Sequence, residues 1–416
     1  MSGRARGGAA RRALWLGAVA ACALSCGGGP SLGGEYDRGA AQASLATDAG
    51  LVLGEFPLRA NGVVDGDTIR VGGLDGSLRL LALDTEETFK SERDRRDYEA
   101  GWESYLASRM ARTNRPIKVP TPLGEEAKYF ARAFFEGVQR VRIERDHPRE
   151  IRGRFNRFLA YVFVERDGRW VNYNVECVRA GMSPYFTKYG YSRRFHDEFV
   201  AAQREAREAQ RGIWDPSKQH YTDYDVRLAW WDARADFVQS FERDAEGRAD
   251  FVALTNWDAL RRLDALEGQY VTVLATVGDI RQGERGPTRV MLSRRMFSDL
   301  PAVFFDPYVL EDSRARDFQG EYVRMRGRVQ RWTNPYNGRE QLQLRVDQAS
   351  QVEVPTYTPP GNGDGAAADE DGPDEAPPAE TGAPTGRATE PPVTTEASQG
   401  PPPPTEPLPS APQVTP

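Results

Sequence analysis

Cysteine, histidine and long apolar runs are what this 416-residue chain has little of, and each scarcity removes a class of chemistry. The three histidines, His147, His196 and His220, stand in separate contexts without His-x-x-x-His or His-x-Lys spacing, which argues against zinc hydrolases and histidine-nucleophile enzymes. No Gly-x-Ser-x-Gly elbow and no P-loop occurs. Bulk positive charge is missing too. The chain carries a formal net charge of −6, of which the tail from Pro355 contributes ten acids against Arg387 and the first 26 residues four arginines, leaving a body close to neutral. Any attraction for a polyanion must therefore be local.

The ends read as addresses and tethers. Arg4, Arg6, Arg11 and Arg12 precede the apolar stretch Ala13 to Ala21, too short to span a bilayer and suited to a secretory signal. Ala23-Leu24-Ser25-Cys26-Gly27 is similar to a bacterial lipobox, with Val19-Ala20-Ala21-Cys22 the alternative, and Cys26 is favoured because the longer apolar core lies upstream of it. Acylated there, the chain would be an exported envelope lipoprotein, and Gly28 after the lipidated Cys points to the outer membrane by resemblance to lipoprotein sorting. An ordinary secreted protein is the other reading. With Cys26 as the N-terminus only Cys177 remains, in a helical apolar pattern that reads as a buried thiol. The expected order is a signal at 1–26, a tether at 27–55, a first domain at 56–216 with an insertion at 90–122, a helical connector at 217–267, a second domain at 268–354 and a disordered Pro-, Glu-, Ala- and Thr-rich tail at 355–416. A monomer is expected.

What is present is concentrated between Asn61 and Thr88. Two apolar runs, Val63 to Val71 and Leu78 to Leu83, are joined by Gly72, Gly73 and Gly76 and read as a hairpin with polar residues at its ends. It would carry Asp67, Asp84 and Glu87 to one rim, with Arg79 on the second strand. Three carboxylates gathered on one rim need countercharge, and a hard cation such as Ca²⁺ suits Asp and Glu oxygens plus a backbone carbonyl.

Asp65-Gly66-Asp67-Thr68 followed by Leu78-Arg79-Leu80-Leu81-Ala82-Leu83-Asp84-Thr85-Glu86-Glu87-Thr88 resembles the active-site hairpin of the staphylococcal nuclease (thermonuclease) family. Gly153 to Val162 resembles that family's arginine-bearing strand, Asn174 to Met182 its following helix, and Gln210-Arg211-Gly212-Ile213-Trp214 its closing Trp. The resemblance implies a mixed α+β fold, an OB-type five-stranded barrel with packed helices. It also implies a Ca²⁺-dependent hydrolysis of DNA or RNA to 3′-phosphate and 5′-hydroxyl ends. Asp67, Asp84 and the Thr85 carbonyl would then bind Ca²⁺, Glu87 would activate water, and Arg79 and Arg157 would grip the phosphate. Glu86 stands where the family has a proline, Phe155 where it can have a phosphate-contacting Tyr, and Asn156 where it has a Gly. Arg154 and Phe155 belong to the same block, and Tyr185 is a candidate for base stacking or for the core. The rival reading is a surface lipoprotein that binds nucleic acid without cleaving it.

From Tyr270 onward the pattern gives five further strands with a short helix between the third and fourth, which is the order of a second OB-like barrel. In its last hairpin Arg328, Trp332, Tyr336 and Arg339 interleave cations with aromatics, either as a platform for single strands or as exposed barrel positions.

Overall fold

In the computed structural model the described residues are 50–112, 116–150, 153, 157–282, 286–293, 300–335 and 338–360. The leader with Cys22 and Cys26, the tail beyond 360, and Arg154, Phe155 and Tyr336 lie outside them. No helix among the described residues is long and apolar enough to cross a membrane.

The first barrel is built by β1 (Val52–Val63), β2 (Thr68–Val71), β3 (Leu78–Leu80), β4 (Arg140–Glu144) and β5 (Phe158–Arg166), with β6 (Arg169–Asn172) continuing the edge. Strand β1 is long enough to serve two partners, pairing β4 through its first half and β2 through its second. The sheet runs β3-β2-β1-β4-β5-β6 and closes on itself where β3 pairs in parallel with β5. Closure turns one face of every strand inward, and Ile69, Leu78, Leu80, Val141, Ile143, Phe158, Ala160 and Val162 fill the interior. Truncating one of its leucines or isoleucines to Ala typically costs about 2–5 kcal/mol. Cys177 sits in the same core as a free thiol, and burial pushes its pKa up.

The second barrel uses β8 (Tyr270–Arg281), β9 (Thr288–Ser293), β10 (Leu300–Phe304), β11 (Tyr322–Thr333) and β12 (Glu340–Val346), with a helix at Pro307–Asp312 between the third and fourth strands. Pairing of β11 with β8 closes it, and β7 (Phe251–Ala253) and β13 (Val352–Glu353) extend its edges. Strand β7 lies in the stretch read from the sequence as connector. It pairs in parallel with β8 and so belongs to the second sheet.

The Tyr224–Asp244 helix also does more than connect. Its buried residues Tyr224, Arg227, Leu228, Trp231, Arg234, Ala235, Val238 and Phe241 recur every three or four positions, a continuous stripe that includes two arginines. Arg227 is held by Asp223 and donates to the Ile117 carbonyl. Arg234 pairs with the equally buried Glu321 and donates to the carbonyls of Lys188 (3.0 Å) and Gly320 (3.2 Å). One helix thus fastens the first barrel to the second through a buried ion pair whose partners are both satisfied, the condition under which such a pair is tolerated.

The insertion forms two helices, Glu92–Glu99 and Trp102–Met110, where the spacing suggests a single solvated one. Gly101, at φ 147°, breaks them apart. The first helix buries nothing, but the second buries Tyr105 and packs Leu106 with Ile117, Leu123, Ile213, Tyr221 and Tyr224 in a separate small core.

Candidate active site

The rim is assembled from the ends of β2 and β3 and from the chain that leaves β3. Asp67 stands just before β2, and its carbonyl accepts from the Leu80 amide (2.9 Å), so it is locked beside β3. Tyr173 donates its hydroxyl to the Gly66 carbonyl at 2.7 Å, and a Cβ at Gly66 would strike the Thr85 side chain at 2.6 Å, which explains a glycine there. After β3 the chain turns through Ala82 in the left-handed region, φ 62°, an unfavourable conformation for a residue with a Cβ. The Ala82 carbonyl accepts from the Phe186 amide, and Ser183 receives the Asp84 amide at 2.9 Å, so the turn is held from outside.

Arg79 is the hub. Its guanidinium pairs with Asp67 and, at 3.0 Å, with Asp84, so the strand arginine and both carboxylates meet. Asp67 accepts in addition from the Thr85 amide (3.1 Å) and the Thr68 hydroxyl (3.0 Å). The parallel register of β3 and β5 sets Arg79 opposite Leu159, and Arg157 stands just before β5, two residues from that partner. Both arginines line one cleft, whose other walls include Tyr189 and Tyr191 of the first barrel and Thr276 and Ser293 of the second.

The adjacent carboxylates Glu86 and Glu87 point opposite ways, as successive residues of an extended segment do. Glu86 is buried and accepts from the Thr121 hydroxyl, the Tyr221 amide (2.8 Å) and the Tyr224 hydroxyl (2.7 Å), while burial raises its pKa. It replaces the stiffness of the family proline by tying the loop to the insertion core. Glu87 faces the rim, with Lys90 at 3.8 Å, and burial together with the Asp67 charge holds its pKa above the ordinary carboxylate range, against the pull of Lys118 and Lys90. A base whose pKa is nearer neutrality is better matched to proton transfer. Stability separates the two residues. Glu86→Ala leaves three donors unanswered, should cost about 3 kcal/mol or more and should lower Tm by roughly 5–10 °C, whereas Glu87→Ala should leave Tm within error. A Glu86→Ala protein that melts with the wild type contradicts this division.

Two features were not legible beforehand. Asp65 lies beside Asp67 and Glu87, and burial and those two charges push its carboxyl up to about 7. Lys118, in the part of the insertion that follows its two helices, places its Nζ 2.9 Å from Asp84 Oδ1. The signal for Lys118 is its place between Ile117 and Val119 in an alternating Pro-bounded stretch. Asp65 was visible only as part of the hairpin motif.

The donor set can be tested against a metal. Asp67, Asp84 and the Thr85 carbonyl are hard oxygen donors, and the mutual repulsion expressed at Asp65 and Glu87 is what a divalent cation would relieve. The chemistry fits. Among the described residues, however, no group of three His, Cys, Asp or Glu side chains is placed to hold an ion, and Asp84 already faces two cations of the chain itself.

Other expected contacts fare differently. Tyr185 is buried, stacks on Phe199 with centroids 4.9 Å apart and planes 8° from parallel, and receives the Ser192 amide at 2.8 Å, so of its two readings the structure places it in the core. Tyr189, four residues on, is 47% exposed and is one of the aromatics that border the cleft. On β11, Arg328 and Trp332 share the outward parity. Arg328 donates to the Gly268 carbonyl (2.9 Å) and the Arg289 guanidinium lies 5.3 Å from the Trp332 ring centre. Arg339 is exposed and closes the hairpin through its carbonyl, which accepts from the Asn334 amide (2.8 Å).

A closed five-stranded barrel with an acid cluster and two arginines at its mouth, followed by a second closed barrel, defines a two-barrel α+β protein of OB type. The profile of the family described as "Staphylococcal nuclease homologue" matches residues 78–216, which takes in Arg79, Asp84 to Glu87 and Arg157 and begins after Asp67. Over 161 residues the chain is 31% identical to an uncharacterized protein of Methanocaldococcus jannaschii, covering 37% of this chain and 69% of that protein. Over 155 residues it is 29% identical to the thermonuclease of Staphylococcus intermedius, covering 37% of this chain and 73% of the enzyme. The chain belongs to the staphylococcal nuclease family through its first barrel, and a nuclease-like function follows from that membership.

Proposed function

We propose that the protein is an exported Ca²⁺-dependent nuclease that hydrolyses phosphodiester bonds of DNA or RNA at the rim of its first barrel, leaving 3′-phosphate and 5′-hydroxyl ends. The observation that carries this reading is the convergence on Arg79 of Asp67 and Asp84, with Glu87 beside them and Arg157 lining the same cleft.

Phosphodiester hydrolysis needs a positioned water, a group to take its proton, and positive charge for the additional anionic character of the pentacoordinate transition state. Glu87 is the proton acceptor. Arg79 and Arg157 hold the phosphate, their planar forks each able to give two parallel hydrogen bonds to its oxygens. Asp67, Asp84 and the Thr85 carbonyl would hold Ca²⁺, which when bound supplies further positive charge to the phosphate. The polymer lies along the cleft that contains both arginines, and the bordering Tyr189 offers a ring to a base. The second barrel supplies the far wall, and Arg328 and Trp332 offer an outward face for strand beyond the cleft. Export with a lipid on Cys26, and action as a monomer, complete the proposal.

The test is to incubate the full chain with a 5′-labelled single-stranded oligonucleotide and Ca²⁺. Fragments whose new 3′ ends bear a phosphate removable by a phosphatase are expected. Fragments with 3′-hydroxyl ends would reject the chemistry, and binding without fragments would favour the non-catalytic rival.

A further inference from the structure

Asp84 carries a second cation that neither the family match nor the sequence singled out. Lys118 Nζ lies 2.9 Å from Asp84 Oδ1, the same oxygen that Arg79 reaches at 3.0 Å. Its side chain is only 14% exposed. The backbone that delivers it is pinned residue by residue. Arg227 donates to the Ile117 carbonyl, and the Tyr221 hydroxyl both accepts from the Val119 amide (2.9 Å) and donates to the Val119 carbonyl (2.8 Å). Tyr105 donates to the Pro120 carbonyl (2.9 Å), and the Thr121 amide donates to the Glu87 carbonyl (3.0 Å). Tyr105 belongs to the insertion, and Tyr221 and Arg227 to the region of the long helix. The insertion and the region of the long helix together therefore hold this lysine on the rim.

We propose that Lys118 is a built-in counter-ion of the rim, a positioning residue that occupies the carboxylate of Asp84 and that a divalent cation must displace in order to bind there. This rests on the metal assignment made for the proposed function. A monovalent ammonium fixed at hydrogen-bond distance neutralises Asp84 without an ion from solution, so the folded protein tolerates the empty rim. The consequence is a weakened affinity for the divalent ion, because binding must break the Lys118 contact. The insertion thereby sets the ion concentration at which the rim becomes loaded.

Titration calorimetry of the full chain with Ca²⁺ alone tests this without reference to cleavage. Lys118→Met should bind Ca²⁺ about tenfold more tightly than the wild type, and Lys118→Arg, which keeps the charge, should bind like the wild type. In an Asp84→Asn background the Lys118→Met gain should vanish, since the lysine acts through that carboxylate. Tyr221→Phe, which loosens Val119 while leaving the lysine in place, should move affinity in the same direction by a smaller factor. Unchanged or weaker binding by Lys118→Met that melts with the wild type overturns the role of Lys118 alone. Absence of Ca²⁺ binding by both the wild type and Lys118→Met overturns the metal assignment and this inference with it.

Discussion

Glu87→Gln is expected to slow cleavage of single-stranded DNA or RNA by about 10²–10⁴-fold, the range that a positioned general base contributes. The substitution keeps the shape and the hydrogen-bonding reach of the side chain but removes its ability to accept the proton of the attacking water. Because Glu87 is partly exposed and its recorded ionic contact with Lys90 is long, at 3.8 Å, the fold should not register the change. Tm and oligonucleotide affinity should stay at wild-type values, so the loss should appear in kcat. The neighbouring Glu86 makes the control informative, since a carboxylate one residue away is turned into the insertion core and has no access to the rim. A Glu87→Gln protein that cleaves at the wild-type rate would remove this residue from the chemistry.

The second large effect is at Arg79. Arg79→Lys retains one positive charge between Asp67 and Asp84, both of which are buried with it, and so spares the rim the cost of two uncompensated carboxylates. It removes the planar fork. Loss of a preorganised donor to a developing oxyanion commonly costs about 10²–10³ in rate, and Arg79→Lys should fall by at least that lower figure while remaining folded. Activity within threefold of the wild type would show that a point charge suffices and that the bidentate grip is not used. Arg79→Ala is the less informative variant, because unfolding and loss of chemistry coincide in it.

The strands could be read from the sequence because alternation is local, whereas the first barrel was implied by the family resemblance and the second by its strand order, closure itself resting on the distant pairings of β3 with β5 and of β8 with β11. The runs Val63 to Val71, Leu78 to Leu83 and Tyr270 to Val277 carried enough β-branched and Leu residues to place strands, and glycines marked the turns. The rim residues were legible for a different reason. They stand at strand ends in a motif whose spacing resembles a known family, and that resemblance put Glu86 at the family's proline and Glu87 at its water-activating carboxylate. What stayed hidden depends on partners distant in sequence. Nothing near Lys118 announces Asp84, 34 positions earlier, as its partner. Nothing in the stretch expected as a helical connector marks Arg227 and Arg234 as buried, since their partners Asp223 and Glu321 and the buried stripe of the Tyr224–Asp244 helix appear only in the fold. The sequence left Tyr185 open between base stacking and the core, and only the fold places it in the core while Tyr189 borders the cleft. Strand β7, three residues long, is too short for alternation to reveal and exists because β8 offers it an edge.

The most direct measurement is a crystal structure of the full chain with Ca²⁺ and a mononucleotide. The account predicts an ion coordinated by Asp67, Asp84 and the Thr85 carbonyl, and a phosphate held by Arg79 and Arg157 within reach of Glu87. A phosphate bound on the second barrel at Arg328 and Trp332, with Arg79 still engaged by both carboxylates and no ion between them, would contradict it.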